Sequence, residues 1–187
     1  MALCLDFPSS WVTVIEPQGT TWSWERLVFW FYSALRSLAL DIDIVDLNQW
    51  ALGDNAVPLN LTALGYQLVV IPSMTMVSPA AVAALANFSG HVIIGPRSFA
   101  KTTVFQNPQA PLAPEVLPMH VLRVEALPDG YQETVTLRMP FSDPSSFGTD
   151  YNVTVWKEYV RSMNPVTSQL SASSSSSAAA AAAAAAG

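Results

Sequence analysis

One cysteine and two histidines are all that 187 residues provide in the way of soft metal ligands, thiol nucleophiles and near-neutral bases. A single cysteine builds neither a disulfide framework nor a zinc cluster. Cys4 falls inside the first apolar run, where a free thiol acts as a small buried hydrophobe. Basic residues are also scarce, eight Lys and Arg against fourteen Asp and Glu, for a net charge of −6. Without a basic patch to neutralise phosphates, nucleic acid is not an expected partner. No run approaches the ~18 apolar residues of a membrane span. The opening M-A-L-C-L-D has no basic n-region and carries Asp6 early, unlike a secretory signal, so a cytoplasmic setting is expected. Neither a G-x-G-x-x-G nor a P-loop is present. No metal and no cofactor are therefore expected. Charged residues make up only 12% against 51% apolar, a balance that suggests some apolar surface is covered by another chain.

What is present reads as alternating strands and helices. Residues 2–6 form a short apolar strand. Residues 7–21 contain Pro8, Pro17 and Gly19 and read as a loop with Trp11, Val14 and Ile15 as partly buried anchors. Ser23 caps a helix over 24–38, followed by a strand at 41–45 and a loop at 49–60. The run 68–71, stopped by Pro72, has the continuous apolar character of a central parallel strand. Ser78-Pro79 starts a helix over 80–88 that closes at Gly90, and 92–94 is the next strand. This order predicts an α/β, flavodoxin-like open parallel sheet. Beyond residue 103, prolines 108, 111, 114 and 118 make an extended arm. Segments 121–126, 134–139 and 153–156 then predict a short β-rich C-terminal extension, with Asp129-Gly130 as a turn. One domain is expected over 1–163. The Ser/Ala run over 164–187 has too little to bury and is expected to be disordered.

At about 100° per residue, Trp24, Leu27, Val28, Phe31, Ala34, Leu35 and Leu38 share one face of the 24–38 helix, predicting its core side. Trp22, Phe29 and Trp30 fall on or beside the polar back. Either neighbouring loops cover them, or they form a subunit contact of the aromatic-plus-arginine kind.

In an open α/β sheet the functional groups gather beyond the carboxyl ends of the strands. Here that place is G-P-R-S-F-A-K-T-T after the strand at 92–94, with Arg97, Ser98 and Lys101. Two cations there could hold a carboxylate or phosphate, or could pair with acidic side chains of this chain or a partner. Ser98 as a nucleophile needs a positioned base. His91 begins the same strand and lies at its far end, and His120 follows the proline arm. Pro96 has no N–H to offer an oxyanion hole. The glutamates show no pairing across barrel strand ends, and the chain is short for a (β/α)₈ barrel of about 250 residues. No catalytic residue is assigned.

The segments P-Q-G (17–19), W-E-R-L-V-F-W-F-Y-S-A-L-R-S-L (24–38), D-I-D-I-V (41–45), L-V-V-I-P-S (68–73) and G-P-R-S-x-x-K-T (95–102) occur in a characteristic order. L-P-M-H-V-L-R-V-E-A-L (117–127) and W-K-E-Y (156–159) continue it. Together they make the chain resemble the β-galactosidase trimerisation domain, the middle domain of family 42 glycoside hydrolases, from about residue 2 to 159. The resemblance implies a fold of the class I glutamine amidotransferase-like type without its catalytic residues. It also implies a role in assembling a trimer, the partners being further copies or a β-galactosidase catalytic chain. In that family the catalytic glutamates lie in a preceding (β/α)₈ barrel, so none maps onto these 187 residues. The expected function is non-catalytic subunit assembly. The alternative is a carbohydrate- or anion-binding module using the loop from Arg97 to Lys101.

Overall fold

A computed structural model describes residues 1–17, 19, 22–136 and 150–163. The first half alternates as expected: β1 (Ala2–Cys4), α1 (Phe7–Ile15), α2 (Trp24–Ser37), β2 (Asp43–Val45), β3 (Leu68–Ile71), α3 (Pro79–Ala86) and β4 (His91–Ile94). The second half contributes β5 (Met119–Ala126), β6 (Glu133–Thr136), β7 (Asp150–Val153) and β8 (Trp156–Ser162). The first four strands form one parallel sheet in the order β2-β1-β3-β4. That is the flavodoxin-like order 2-1-3-4, so the expected fold class holds.

Register assigns the two faces of the sheet. Leu3 lies opposite Ile44 and Val70, and Val70 opposite Ile93, which makes one apolar row across all four strands. Leu3 and Val70 are buried, while Ile44 and Ile93, on the two outer strands, are exposed. On the opposite face Ala2, Cys4, Val69 and Ile71 pack with Ala81, Ala84 and Leu85 of α3. An alanine-rich helix has little side-chain bulk, which lets its backbone approach the sheet closely. Ser78 caps α3 by accepting the Ala81 N–H at 3.1 Å, with Pro79 in the first turn, where its missing N–H costs nothing.

The expected loop over 7–21 is corrected over its first half, since Phe7–Ile15 is helical. Pro8 sits in the first turn, where proline starts helices rather than breaking them, and Asp6 is the N-cap, accepting from the Ser9 N–H at 3.2 Å. Trp11, Val14 and Ile15 are exposed rather than partly buried. The face of α1 that turns inward carries Pro8, Ser9 and Val12 instead.

Helix α2 begins where Ser23 caps it, accepting from the Arg26 N–H. Trp24 and Leu27 are fully buried, and Val28, Phe31 and Leu35 are half-buried. Ala34 and Leu38 are exposed, contrary to the expected core face. Trp24 meets the Phe7 ring of α1 at 6.2 Å between centroids and donates its indole N–H to Ser73 O at 3.1 Å, so burial concentrates in the first turn. The segment expected to be a loop over 49–60 contains a 3₁₀ turn, Trp50–Asn55, interrupted at Gly53.

The β-rich extension is built of two antiparallel pairs, β5 with β8 and β6 with β7. The strand expected over 153–156 is corrected: Val153 ends β7 and Trp156 begins β8. The chain changes partner between them, because Val153 is in register with Glu133 and Trp156 with Ala126. The strand expected over 134–139 is present as Glu133–Thr136; residues 137–139 lie outside the described ones, as does the tail expected over 164–187.

Candidate functional site

The loop after β4 folds back onto the segment after β3. Gly95 N–H donates to Ile71 O at 2.7 Å, and a Cβ at position 95 would stand 2.0 Å from Pro72 O. Only glycine permits that approach. Next, Arg97 and Phe99 both take left-handed backbone at φ 59°, a conformation that costs non-glycine residues energy unless their surroundings fix it. Fixing comes from several directions. The Arg97 N–H donates to Glu158 Oε1 at 2.9 Å, Phe99 N–H to Met74 O at 2.8 Å, and Lys101 N–H to Thr75 O at 2.9 Å. Ser98 Oγ accepts the Met74 N–H at 3.2 Å.

The two cations of this loop meet one carboxylate. Lys101 Nζ donates to Glu16 Oε1 at 2.7 Å and to Asn107 Oδ1 at 2.7 Å, and stands 5.0 Å from the Phe105 ring centroid. The Arg97 guanidinium lies 3.7 Å from Glu16 Oε2. Lys101 is buried, so its charge is compensated by short contacts rather than by water. Glu158 is buried as well. Burial pushes its carboxyl above the usual range, and the Arg97 N–H and charge partly counter that.

A second polar cluster sits beyond the ends of β1 and β3. Asp6 is buried, and its carboxylate accepts from Ser9 N–H, Ser9 Oγ, Asn48 Nδ2 at 3.0 Å and Trp50 Nε1 at 2.5 Å. The network spreads outward. Ser9 Oγ accepts the Thr75 N–H at 2.7 Å, Asn48 Oδ1 accepts the Ser78 N–H at 2.7 Å, and Asn48 Nδ2 reaches Met76 O at 3.0 Å. Burial raises the Asp6 carboxyl above its ordinary value, with the hydrogen bonds from Ser9, Trp50 and Asn48 opposing. Buried polar groups are stable when every member is satisfied, and here the acceptors and donors match. The region where a flavodoxin-like sheet would receive a ligand is occupied by the chain's own side chains. Cys4, behind this cluster, has its thiol pushed up to about 12 by burial, so it is protonated and not a thiolate nucleophile.

Ser98 and His120 line one cavity of about 330 Å³, together with Arg97, Asn107 and Arg123. Ser98 is buried, and no hydrogen bond joins it to His120 among the described residues. The Arg123 guanidinium is engaged elsewhere, 4.2 Å from the Tyr159 ring centroid and 3.4 Å from Glu125 Oε2. His91 lies at the start of β4, away from the loop. Among the described residues no three His, Cys, Asp or Glu side chains converge to hold a metal ion, and no helix is long and apolar enough to cross a membrane.

The three aromatic residues near the polar back of α2 do not form a single patch. Trp22 packs edge-on against Trp156 at 4.7 Å between centroids, tying the start of α2 to the β-rich extension. Its indole N–H is buried and finds no hydrogen-bond partner among the described residues. Trp30 is half-buried with the Arg26 guanidinium 5.1 Å from its ring centroid. Phe29 alone projects freely, 63% exposed. Sequence reasoning found Arg97, Ser98 and Lys101 but missed Glu16, Glu158 and the Asp6 network. The D-x-x-S spacing of Asp6 and Ser9 is an N-cap signal that could have been read; the pairing of Glu16 with Lys101 and of Glu158 with Arg97 has no local signature.

Known proteins are similar to this chain in sequence and fold. A β-galactosidase named BgaA from a Thermus species is 36% identical over 165 residues, covering 87% of this chain and 22% of that protein. A β-galactosidase from Thermus thermophilus is 40% identical over 136 residues, covering 71% of this chain and 19% of its own length. The crystal structure of the β-galactosidase from the psychrophilic Marinomonas ef1 superposes with a TM-score of 0.69 at 28% identity, over 88% of this chain and 22% of that one. That from Bacillus circulans sp. alkalophilus gives a TM-score of 0.69 at 17% identity, over 86% of this chain and 23% of that one, and shares the fold. The chain thus spans about a fifth of the length of the curated relatives it matches. The family model for the β-galactosidase trimerisation domain matches residues 1–186, and this chain belongs to that family.

Proposed function

We propose that this chain is a non-catalytic assembly domain of a family 42-type β-galactosidase, holding subunits of the galactoside-hydrolysing enzyme together in the cytoplasm. One observation carries the reading. The carboxyl ends of the strands, where an amidotransferase-like sheet would keep its reacting groups, are filled by the satisfied Asp6 network and by a loop whose cations are paired with Glu16. Meanwhile, aromatic and aliphatic side chains on α1 and α2 stand in solvent. Polar groups sequestered inside and apolar groups displayed outside suit a surface that meets protein. Size-exclusion chromatography with light scattering on the chain, alone and mixed with a family 42 catalytic barrel, tests it. Self-association or complex formation is expected, and a monomer that ignores the barrel refutes it.

The cavity of about 330 Å³ beside Arg97 and Ser98 supports a second reading, a carbohydrate- or anion-binding module. Titration calorimetry with galactosides and phosphate, repeated on Arg97→Ala, decides it: no heat from any ligand removes this reading.

A further inference from the structure

Helix α1 displays its apolar stripe to solvent. Phe7, Trp11, Val14 and Ile15 recur at i, i+4, i+7 and i+8, the spacing that normally marks a core-facing ridge. Here they are 67%, 64%, 80% and 65% exposed. No charged residue occurs between Phe7 and Ile15. With aromatic side chains of 150–250 Å² each, the stripe presents on the order of 500 Å², a large part of the ~800 Å² that each partner contributes to a standard interface. A second apolar feature lies on α2. Phe29 and Tyr32 are exposed, one turn apart, on a flank shared with Glu25 and Arg36.

A ring of three copies closes through one contact repeated head to tail, and such a contact joins two different surfaces of the same chain. We infer that the α1 stripe of one copy seats on the Phe29–Tyr32 flank of α2 in the next, the occupant being a second copy of this chain. The inference rests on the assembly reading above and specifies its surfaces. The head-to-tail requirement sets aside stripe on stripe, and electrostatics permit this pairing. Copies carrying a net charge of −6 repel wherever acidic surfaces meet. The stripe brings no charge, and the α2 flank carries Glu25 and Arg36, with Asp41 3.9 Å from the Arg36 guanidinium, so this contact sets no acidic surface against another.

Light scattering on the full chain and on the variants Val14→Arg and Phe29→Arg tests it. The wild type is expected to weigh as three chains, and each variant alone as one. An equal mixture of the two variants is expected to weigh as two, because one intact stripe can still meet one intact flank. Both positions are exposed, so each folded variant should keep the circular dichroism of the wild type, while its melting temperature falls by the share that assembly contributes. Should Val14→Arg lose the native circular dichroism, the smaller change Trp11→Ser on the same stripe reads the same outcome. A wild-type trimer that Val14→Arg leaves intact overturns the inference while the assembly reading stands. Monomeric variants that remain monomeric when mixed also overturn it, pointing to stripe-on-stripe contact or to docking on the rest of a β-galactosidase polypeptide. A monomeric wild type overturns it too, and only if that monomer also ignores the catalytic barrel does the assembly reading fail.

Discussion

Replacing Asp6 by alanine removes the acceptor at the centre of the polar cluster between α1, β3 and the 3₁₀ turn. Three donors lose their acceptor: Ser9 Oγ, one N–H of Asn48 Nδ2 (the other keeps Met76 O) and Trp50 Nε1, while Ser9 N–H keeps the Asp6 carbonyl at 3.0 Å. The first two are buried, and the indole of half-buried Trp50 can turn to water. Each buried donor left unsatisfied costs about 1–3 kcal/mol, and loss of the α1 N-cap overlaps with the Ser9 share. A net cost of about 3–5 kcal/mol follows, a large part of the roughly 5–15 kcal/mol that holds a domain folded. For a chain of this size that lowers Tm by roughly 6–20 °C. The sign with pH is opposite to that of a surface carboxylate in an ion pair. Burial raises the folded carboxyl above its ordinary value of 3.8, so the native state binds the proton more tightly than the unfolded state. Asp6 therefore stabilises most below pH 3.8, and its contribution falls as pH rises through the folded value. Asp6→Asn, which cannot ionise, lacks this slope. Urea denaturation of wild type, Asp6→Ala and Asp6→Asn across acidic to neutral pH measures both effects. A loss below about 1 kcal/mol for Asp6→Ala, or a wild-type advantage over Asp6→Asn that grows with pH, refutes the account.

Gly95→Ala places a methyl group 2.0 Å from the Pro72 carbonyl oxygen. Because backbone cannot yield cheaply, a cost of about 3 kcal/mol or more is expected in urea denaturation. Glu16→Ala leaves Lys101 Nζ buried with only Asn107 Oδ1 and the Phe105 ring. It should destabilise by about 1–3 kcal/mol, whereas Lys101→Met, which removes the buried charge with it, should cost less; thermal melts of the two variants check the order. Trp156→Ala withdraws the ring on which Trp22 packs, with an expected loss of about 3–5 kcal/mol. Phe29→Ser, at a site exposed in the single chain, should shift the stability of the monomer by under about 0.5 kcal/mol in melts too dilute for association.

Sequence by itself determined the parts whose cause is local. Continuous apolar runs gave β3 its bounds, because a strand buried on both faces needs no polar alternation. Ser23 and Ser78 located the starts of α2 and α3, because a cap side chain and the backbone N–H it binds are three residues apart. The order of strands and helices followed from the same signals, and so did the place on the sheet where a functional loop would lie. The resemblance carried by G-P-R-S-x-x-K-T and the helix before it pointed to the family. Other features were decided only by tertiary structure. Whether the 24–38 helix buries its last turn depended on what packs against it, and Leu38 is left exposed. Whether Arg97 and Lys101 stand free depended on Glu16, 81 and 85 residues earlier, and on Glu158, whose positions relative to the loop are set by packing. The α1 stripe shows the limit most plainly. Its spacing marks an amphipathic helix, but spacing cannot say which side turns inward. Asp6, Ser9 and Asn48 needed one another more than Trp11 needed the core, because an unsatisfied buried polar group costs more than an exposed ring.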